Sequence, residues 1–261
     1  MFNDNQMSLF NFTEPEMKNL DLSRCHAKII NYQTASRIVD NYHYAKRTPS
    51  IVVAVGMYVD DVLAGVITYG LPPNRNALGF CGEQFIENGL ELNRLFVFDW
   101  AGRNSESWLI GQSFKLLEQN FPQYFLLVSY ADPTHDHLGY IYQATNWIYT
   151  GTGAESKSDV IVNGELISEK HLYNLYGTHK RDVLRAKGLE IQDIIAQPKH
   201  RYVYILGSAG QRRKMKKLIR WPVLSYPKGR NLTQREPDKR EASTSQALST
   251  LENLSDLEGL S

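Results

Sequence analysis

A chain of 261 residues, 42% hydrophobic and 22% charged, can bury one sizeable core and still carry tails. No apolar run reaches the roughly 18 to 20 residues of a membrane helix, and Met1 to Glu14 lacks a basic-then-apolar signal pattern, so a soluble cytoplasmic protein without a membrane partner is expected. Cys25 and Cys81 lie far apart without metal-type spacing, which gives a disulfide framework or zinc ribbon no support.

The net charge of +1 conceals an asymmetry. Eleven basic residues between Arg212 and Arg240 stand against only Glu236 and Asp238. The following residues to Ser261 hold no Lys or Arg and are rich in Ser, Thr and Leu. Residues 1–19 are therefore expected to be a flexible segment, 20–228 a catalytic domain whose basic C-terminal segment starts near 212, and 229–261 a disordered tail with at most a short helix.

In chain order, Lys28 to Asn31 reads as a short strand, and Thr34 as the cap of a helix through Ile38 and Val39 toward Tyr42. Ile51 to Tyr58 and Val62 to Tyr69 are β-branched runs around Asp60-Asp61, the pattern of a hairpin. Gly70 to Gly89, with Pro72, Pro73, Gly79 and Gly82, reads as a long irregular loop of the kind that carries function. Leu90 to Phe98 alternates as a strand, and Ser105 or Ser107 opens an apolar-periodic helix that ends by Pro122. Phe125 to Tyr130 is a continuous apolar run fit for a buried strand. A polar turn to His137, a helix over Leu138 to Thr145 and a strand over Trp147 to Thr150 follow. Asn163-Gly164 marks a second hairpin, Lys180 to Lys187 a short helix ending at Gly188, and His200 to Leu206 a last strand. This order predicts an α/β (α+β) domain: a mixed sheet with helices on both faces.

The strand Leu90 to Phe98, the turn Asp99 to Ser105 and the helix from Glu106 resemble the acyl-carrier site of the GNAT superfamily. That resemblance implies a mostly antiparallel central sheet with a splayed strand pair. It also implies acetyl-CoA or a related acyl donor, whose pyrophosphate meets amides at a helix N-terminus. Gly102-Arg103-Asn104-Ser105-Glu106-Ser107 stands where Gly-x-Gly or Gly-x-Ala is usual. Arg103, Asn104, Ser105 and Ser107 are the cofactor-binding candidates, while Glu106 opposes an anion, and an ordinary strand-helix connection is the equal alternative. Tyr142, five residues before Trp147, matches the superfamily's tyrosine that protonates a departing thiolate; helix packing is the alternative.

Six strings in order narrow the resemblance: Tyr42-His43-Tyr44, Glu91-Leu92-Asn93-Arg94-Leu95, Ser129-Tyr130-Ala131-Asp132-Pro133, Ile141-Tyr142-Gln143-Ala144, Asn146-Trp147-Ile148-Tyr149-Thr150-Gly151 and Pro198-Lys199-His200-Arg201-Tyr202-Val203-Tyr204. Together they resemble the Mom proteins of Mu-like phages over about residues 42–228. The resemblance implies a DNA-modifying transferase that converts adenine in double-stranded phage DNA to a 6-amino-substituted, carbamoylmethyl-type derivative, shielding it from host restriction endonucleases. The protein would then act in the host cytoplasm.

The same match suggests Asp132, Tyr142, Arg94, His43 and Tyr44 as the site. Asp132 is read as general base or as the carboxylate polarising the adenine edge, with a helix cap as the plainer role. Arg94 holds a donor carbonyl or phosphate, or else pairs with Glu91 or Asp132. His43 and Tyr44 line a pocket for a flipped adenine, or form an apolar wall. His135, Asp136 and His137 beside Asp132 raise a bound metal, but His-x-His turns are common without one. The implied product is joined through its methylene carbon, so plain acyl transfer does not suffice. The methyl carbon must be activated, with redox iron one route and a different donor another.

Arg212, Arg213, Lys214, Lys216, Lys217 and Arg220, with Trp221 and Tyr226, fit a phosphate-tracking DNA surface that Lys46, Arg47 and Arg75 would widen; a solvated terminal face is the alternative. Two other functions stay open: a GNAT N-acetyltransferase acting on a protein or small-molecule amine, and a non-enzymatic DNA-binding module. The leading reading depends on Asp132 and Tyr142 serving one reaction centre.

Overall fold

The computed structural model describes residues 21–43, 47–133, 138–153, 159–194 and 198–228. The expected N-terminal segment and C-terminal tail, and Tyr44, Lys46, His135, Asp136 and His137, lie outside the described residues. The described chain forms two compact units, one of residues 21–68 and 94–116, the other of 69–93 and 117–228.

In the first unit, β1 (Cys25–Ile30) pairs antiparallel with β2 (Val53–Val59) from Cys25↔Val59 to Ile30↔Ala54. Asn31 caps α1 (Tyr32–Tyr42), its side chain accepting from the Thr34 N–H at 2.8 Å. The cap expected at Thr34 is thus Asn31, because a carboxamide at the strand's end reaches the unsatisfied first-turn amides. Ala35, Ile38 and Val39, three and four apart, give α1 one buried stripe. It packs with Ile30, Ala54, Tyr58, Leu63, Val66 and Phe98. The Asp60-Asp61 hairpin leads from β2 into β3 (Val62–Gly70) with φ of 48° and 64°, the left-handed pair that matches strand twist. Beside β3 runs the end of β4 (Gly89–Val97), where a Cβ at Gly65 would meet the Phe96 carbonyl oxygen at 2.8 Å. Only glycine lets the two backbones approach there. The chain then enters α2 (Ser105–Asn120).

In the second unit the strand order is β4, β5 (Leu126–Ala131), β10 (His200–Ile205), β6 (Ile148–Thr152). The expected mixed, mostly antiparallel sheet is present. Parallel pairing of β4 with β5 covers three rungs, Gly89↔Leu126 to Glu91↔Val128, although β4 runs on to Val97 and β5 to Ala131. By contrast, β10 pairs with β5 along its whole length, from His200↔Ala131 to Ile205↔Leu126.

Residues 70–89, expected to be an irregular loop, fold as two 3-10 helices, Arg75–Gly79 and Glu83–Asn88. They bury Leu78, Phe80 and Cys81 against Leu126, Val128, Val203 and Ile205. The segment is a wall of the core rather than an open loop, since each fully buried Leu or Phe contributes about 1.5–3 kcal/mol that an exposed loop forgoes. The same layer takes Met215 of α6 (Ala209–Lys216), a helix not anticipated in the basic run and capped by Ser208. On the other side of β5 and β10 lies α3 (Tyr140–Ala144), so helices cover both faces.

Between β6 and β10 the chain builds a separate layer: β7 (Asp159–Val162), β8 (Glu165–Ser168), α4 (Glu169–Tyr176), α5 (Arg181–Ala186) and β9 (Ile191–Asp193). Its sheet order is β8-β7-β9, with its own core of Val160, Val162, Leu172, Leu184 and Ile191. The Asn163-Gly164 hairpin and the helix ending at Gly188 are as expected. Arg181 ties Glu169 on α4 to Asp193 on β9, the latter at 2.7 Å. Among the described residues, no helix is long and apolar enough to cross a membrane.

Candidate active site

Strand alternation sorts the side chains of β5. Leu126, Val128 and Tyr130 join the core layer that contains Met215, and Ser129 points the other way, toward α3. Ser129 is 1% exposed. Its Oγ donates to the Leu92 carbonyl at 2.8 Å, one residue past the last β4–β5 rung, and lies 2.7 Å from the Tyr142 hydroxyl. A side chain thereby supplies the hydrogen that the parting backbones no longer give to that buried carbonyl.

Tyr142 sits on α3, a single turn entered through Gly139 at φ 73° and left through Asn146 at φ 61°. Asn tolerates the left-handed region better than most residues, so Asn146 closes this turn without a glycine. The Trp147 N–H returns to the Tyr142 carbonyl at 2.9 Å, locking the Tyr-to-Trp spacing read from the sequence. The Tyr142 ring lies 5.2 Å from Trp147 and 5.1 Å from Tyr202. Burial pushes the Tyr202 phenol up to about 12, so it stays neutral and donates to the Leu138 carbonyl. Tyr202 continues to Tyr149, whose hydroxyl is 2.9 Å from His200 Nδ1. Burial lowers the pKa of His200 and raises that of Tyr149, so this pair is held neutral.

Asp132 follows the last residue of β5, and its Oδ2 lies 3.0 Å from Lys199 Nζ. Lys199 stands one position before His200↔Ala131, so the two are neighbours just beyond the ladder. The Gly153 N–H, at 2.8 Å from the Lys199 carbonyl, fixes the lysine's backbone. Ser129 and Tyr142 meet on one face of β5, whereas Asp132 lies one residue past the end of that strand. The acid and the phenol are therefore held by separate contacts. Among the described residues no group of three His, Cys, Asp or Glu can hold a metal ion. The proposed metal cluster at His135, Asp136 and His137 lies outside them.

In the first unit, His43 closes α1 and is 6% exposed, with its N–H on the Val39 carbonyl. The Arg94 Nη2 donates to the Arg47 carbonyl at 3.1 Å, holding the residues after α1 to β4. The turn into α2 carries Gly102 at φ 93° and Asn104 at φ 66°. Ser105 is buried and donates to the Gly102 carbonyl, and Ser107 donates to the Asn104 carbonyl. Both hydroxyls are spent on the turn itself. The first-turn amides of α2, which have no intrahelical acceptor, and the exposed Arg103 are the groups that suit a pyrophosphate. Glu106 in that turn works against one. The residues present fit an acyl-CoA donor through backbone and Arg103 rather than through serine hydroxyls.

Within the basic segment, Arg213, Lys214, Lys216 and Lys217 are exposed around α6, and Arg212 is half-buried. Residues 218–228 form neither helix nor strand and are stapled down: the Arg220 N–H on the Phe80 carbonyl, the Leu224 N–H on the Tyr149 carbonyl, and the Tyr226 hydroxyl on the Trp147 carbonyl. Arg201 lies 3.6 Å over the Trp221 ring. Trp221 and Tyr226 thus act as fastenings of this unit. Arg220 lies 3.8 Å from Glu83, and Arg75 pairs with Glu87.

The model of the Mom protein family matches residues 24–228. The chain belongs to this family. It is 26% identical over 196 residues to the methylcarbamoylase Mom of Escherichia phage Mu, covering 74% of this chain and 80% of that protein. Looser structural likenesses include a spermidine N-acetyltransferase variant from Vibrio cholerae (8% identity, TM-score 0.42, covering 70% of this chain and 94% of that one). Another is a GNAT family acetyltransferase from Elizabethkingia anophelis with acetyl-CoA bound (10% identity, TM-score 0.37, covering 70% and 99%).

The Mom-family strings of this chain place His43 after α1, Arg94 on β4, Asp132 after β5, Tyr142 on α3 and Lys199 before β10. Two residues in them were not singled out from the sequence. Ser129 was visible as the one small polar residue in an apolar strand, whereas Lys199 carried no signal, because its partner is set by β5–β10 register.

Proposed function

We propose that this Mom-family chain is a transferase that modifies the 6-amino group of adenine in double-stranded phage DNA, with an acyl-CoA-type donor, and so protects the DNA from restriction endonucleases. The match over residues 24–228 carries this reading, because it spans Arg94, Asp132 and Tyr142 together with the elements that hold them. An acyl-CoA would supply an activated two-carbon unit on a thiol leaving group. In the transfer step Asp132 takes a proton from the weakly nucleophilic exocyclic amine as it bonds to the thioester carbonyl carbon, the C–S bond breaks, and Tyr142 gives a proton to the departing sulfur. This yields an N-acylated adenine and a free thiol, and a product joined through the methylene carbon would need a separate activation of the methyl carbon. Arg94 orients the donor, His43 and Tyr44 border the base, and Arg103 with the amides of Asn104, Ser105 and Ser107 receives the pyrophosphate. Arg212, Arg213, Lys214, Lys216, Lys217 and Arg220 supply sequence-independent attraction to the duplex.

The test is to express the chain in bacteria, digest plasmid DNA to nucleosides, and look for a new adenine derivative by mass spectrometry, with Asp132→Asn and Tyr142→Phe as controls. A substituted adenine that disappears in both variants is expected. Unmodified DNA from folded wild-type protein overturns the reading, and an acetylated amine with untouched DNA would replace it by an ordinary N-acetyltransferase.

A further inference from the structure

We infer that Ser129 is a positioning residue that controls the ionisation of Tyr142 by moving a single hydrogen between the Leu92 carbonyl and the phenol oxygen. The inference rests on the reading above only for its consequence in catalysis; the hydrogen-bond geometry stands by itself.

Ser129 is buried, and its Oγ reaches both the Leu92 carbonyl at 2.8 Å and the Tyr142 hydroxyl at 2.7 Å. A hydroxyl has one hydrogen to give, and a carbonyl oxygen accepts only. While Tyr142 is neutral, the Ser129 hydrogen satisfies the carbonyl that β5 no longer meets with a backbone N–H, and the serine lone pair receives the phenolic hydrogen. When the phenol loses its proton, the need reverses: the phenolate is the stronger acceptor, and Ser129 turns its hydrogen from Leu92 to Tyr142. Both positions lie within hydrogen-bond distance, so a rotation about one C–O bond suffices.

The Tyr142 ring is flanked by Trp147 at 5.2 Å and Tyr202 at 5.1 Å, and the Tyr202 hydroxyl is already committed to the Leu138 carbonyl. In the proposed reaction the Tyr142 O–H bond breaks and an S–H bond forms on the departing thiolate. The electron pair stays on the phenolate oxygen, where the Ser129 hydrogen meets it, and solvent later returns the proton. The placement also explains why a hydroxyl stands among Leu126, Leu127 and Val128, all fully buried and apolar, where another aliphatic residue would pack without polar demands.

The experiment is a pH titration of protein labelled with 13C at the tyrosine ring carbon bearing the hydroxyl, followed by NMR, with Tyr142→Phe assigning the resonance. Ser129→Ala is expected to move Tyr142 ionisation upward by about one pH unit or more, roughly a tenfold change in its constant, and Ser129→Thr to restore it. If Ser129→Ala fails to fold, Ser129→Cys, whose thiol is a weak donor of similar size, carries the same test with the same expected shift. A folded Ala or Cys variant with the wild-type titration overturns the inference. The readout needs no activity. If Tyr142→Phe still modifies DNA, the catalytic reading fails while the role of Ser129 in the titration stands.

Discussion

Gly139→Ala probes how tightly α3 is seated. Gly139 has φ 73°, and a Cβ there would lie 2.5 Å and 2.8 Å from two ring atoms of Tyr202, and 3.0 Å from the Tyr142 ring. The left-handed backbone alone costs an alanine about 1–2 kcal/mol. Crowding adds about 1–3 kcal/mol, because Tyr202 is fully buried and its ring cannot swing away. The expected loss is therefore about 2–5 kcal/mol. Gly151→Ala is the matched control: φ is 86°, yet the nearest atom is Leu224 Cδ1 at an ordinary 3.4 Å, so only the backbone cost of about 1–2 kcal/mol applies. Urea unfolding gives both values, and in a thermal melt the extra loss appears as a Tm lower by about 2–4 °C per kcal/mol. Equal losses in the two variants would refute the packing of α3 on Tyr202, and with it the seating of Tyr142.

Burial lowers the pKa of His200, so its folded value lies below the unfolded one, near 6.5. The unfolded chain then binds more protons around that value. Stability contributed by neutral His200 is complete above about pH 6.5 and is lost as pH falls toward the folded value. The urea midpoint should drop more between pH 7.5 and 5.5 in wild type than in His200→Gln; parallel drops would contradict the burial of the ring. Removing the guanidinium in Arg181→Met leaves Glu169 and Asp193 facing each other partly buried, at a cost of about 1–3 kcal/mol. Hydrogen exchange should speed up across residues 159–193 while β5 keeps its protection; uniform acceleration would show that this layer does not open by itself. Lys199 is half exposed, so Lys199→Met should cost under about 1 kcal/mol in stability. DNA modification should nonetheless fall roughly ten- to hundredfold through misplacement of Asp132 and recover in Lys199→Arg. Full activity in Lys199→Met would remove the lysine from the site.

What could be read from sequence follows from how local each signal is. The Asp60-Asp61 and Asn163-Gly164 hairpins, the Tyr142 to Trp147 spacing and the β5 and β10 runs depend on neighbours within a few residues, and the structure has them. The wall built by residues 70–89 was not legible, because prolines and glycines announce irregular backbone without saying where Leu78 and Phe80 go. The helix α6 was hidden by its charge, since Met215 is its one buried residue and leaves no apolar stripe. The layer from β7 to β9 showed one hairpin and one helix, but α4 and β9 are too short to have a period of their own. In the site, types of residue were legible and partners were not. Ser105 and Ser107, expected to face a phosphate, turn back to the carbonyls of their own turn, and Asp132 finds Lys199 through a register that only the folded sheet defines.

Register also separates the two candidate groups along the chain. Ser129 delivers its hydroxyl to α3 on one face of β5, whereas Asp132 stands one residue past the strand and meets Lys199 where the ladder ends at His200↔Ala131. In the proposed reaction a substrate that uses both would have to reach the C-terminal end of β5, which is where ligands meet sheets with parallel strands in general. There the carboxylate would have to leave its lysine for the amine before attack, whereas the phenol already lies 2.7 Å from the serine hydroxyl that would receive its charge.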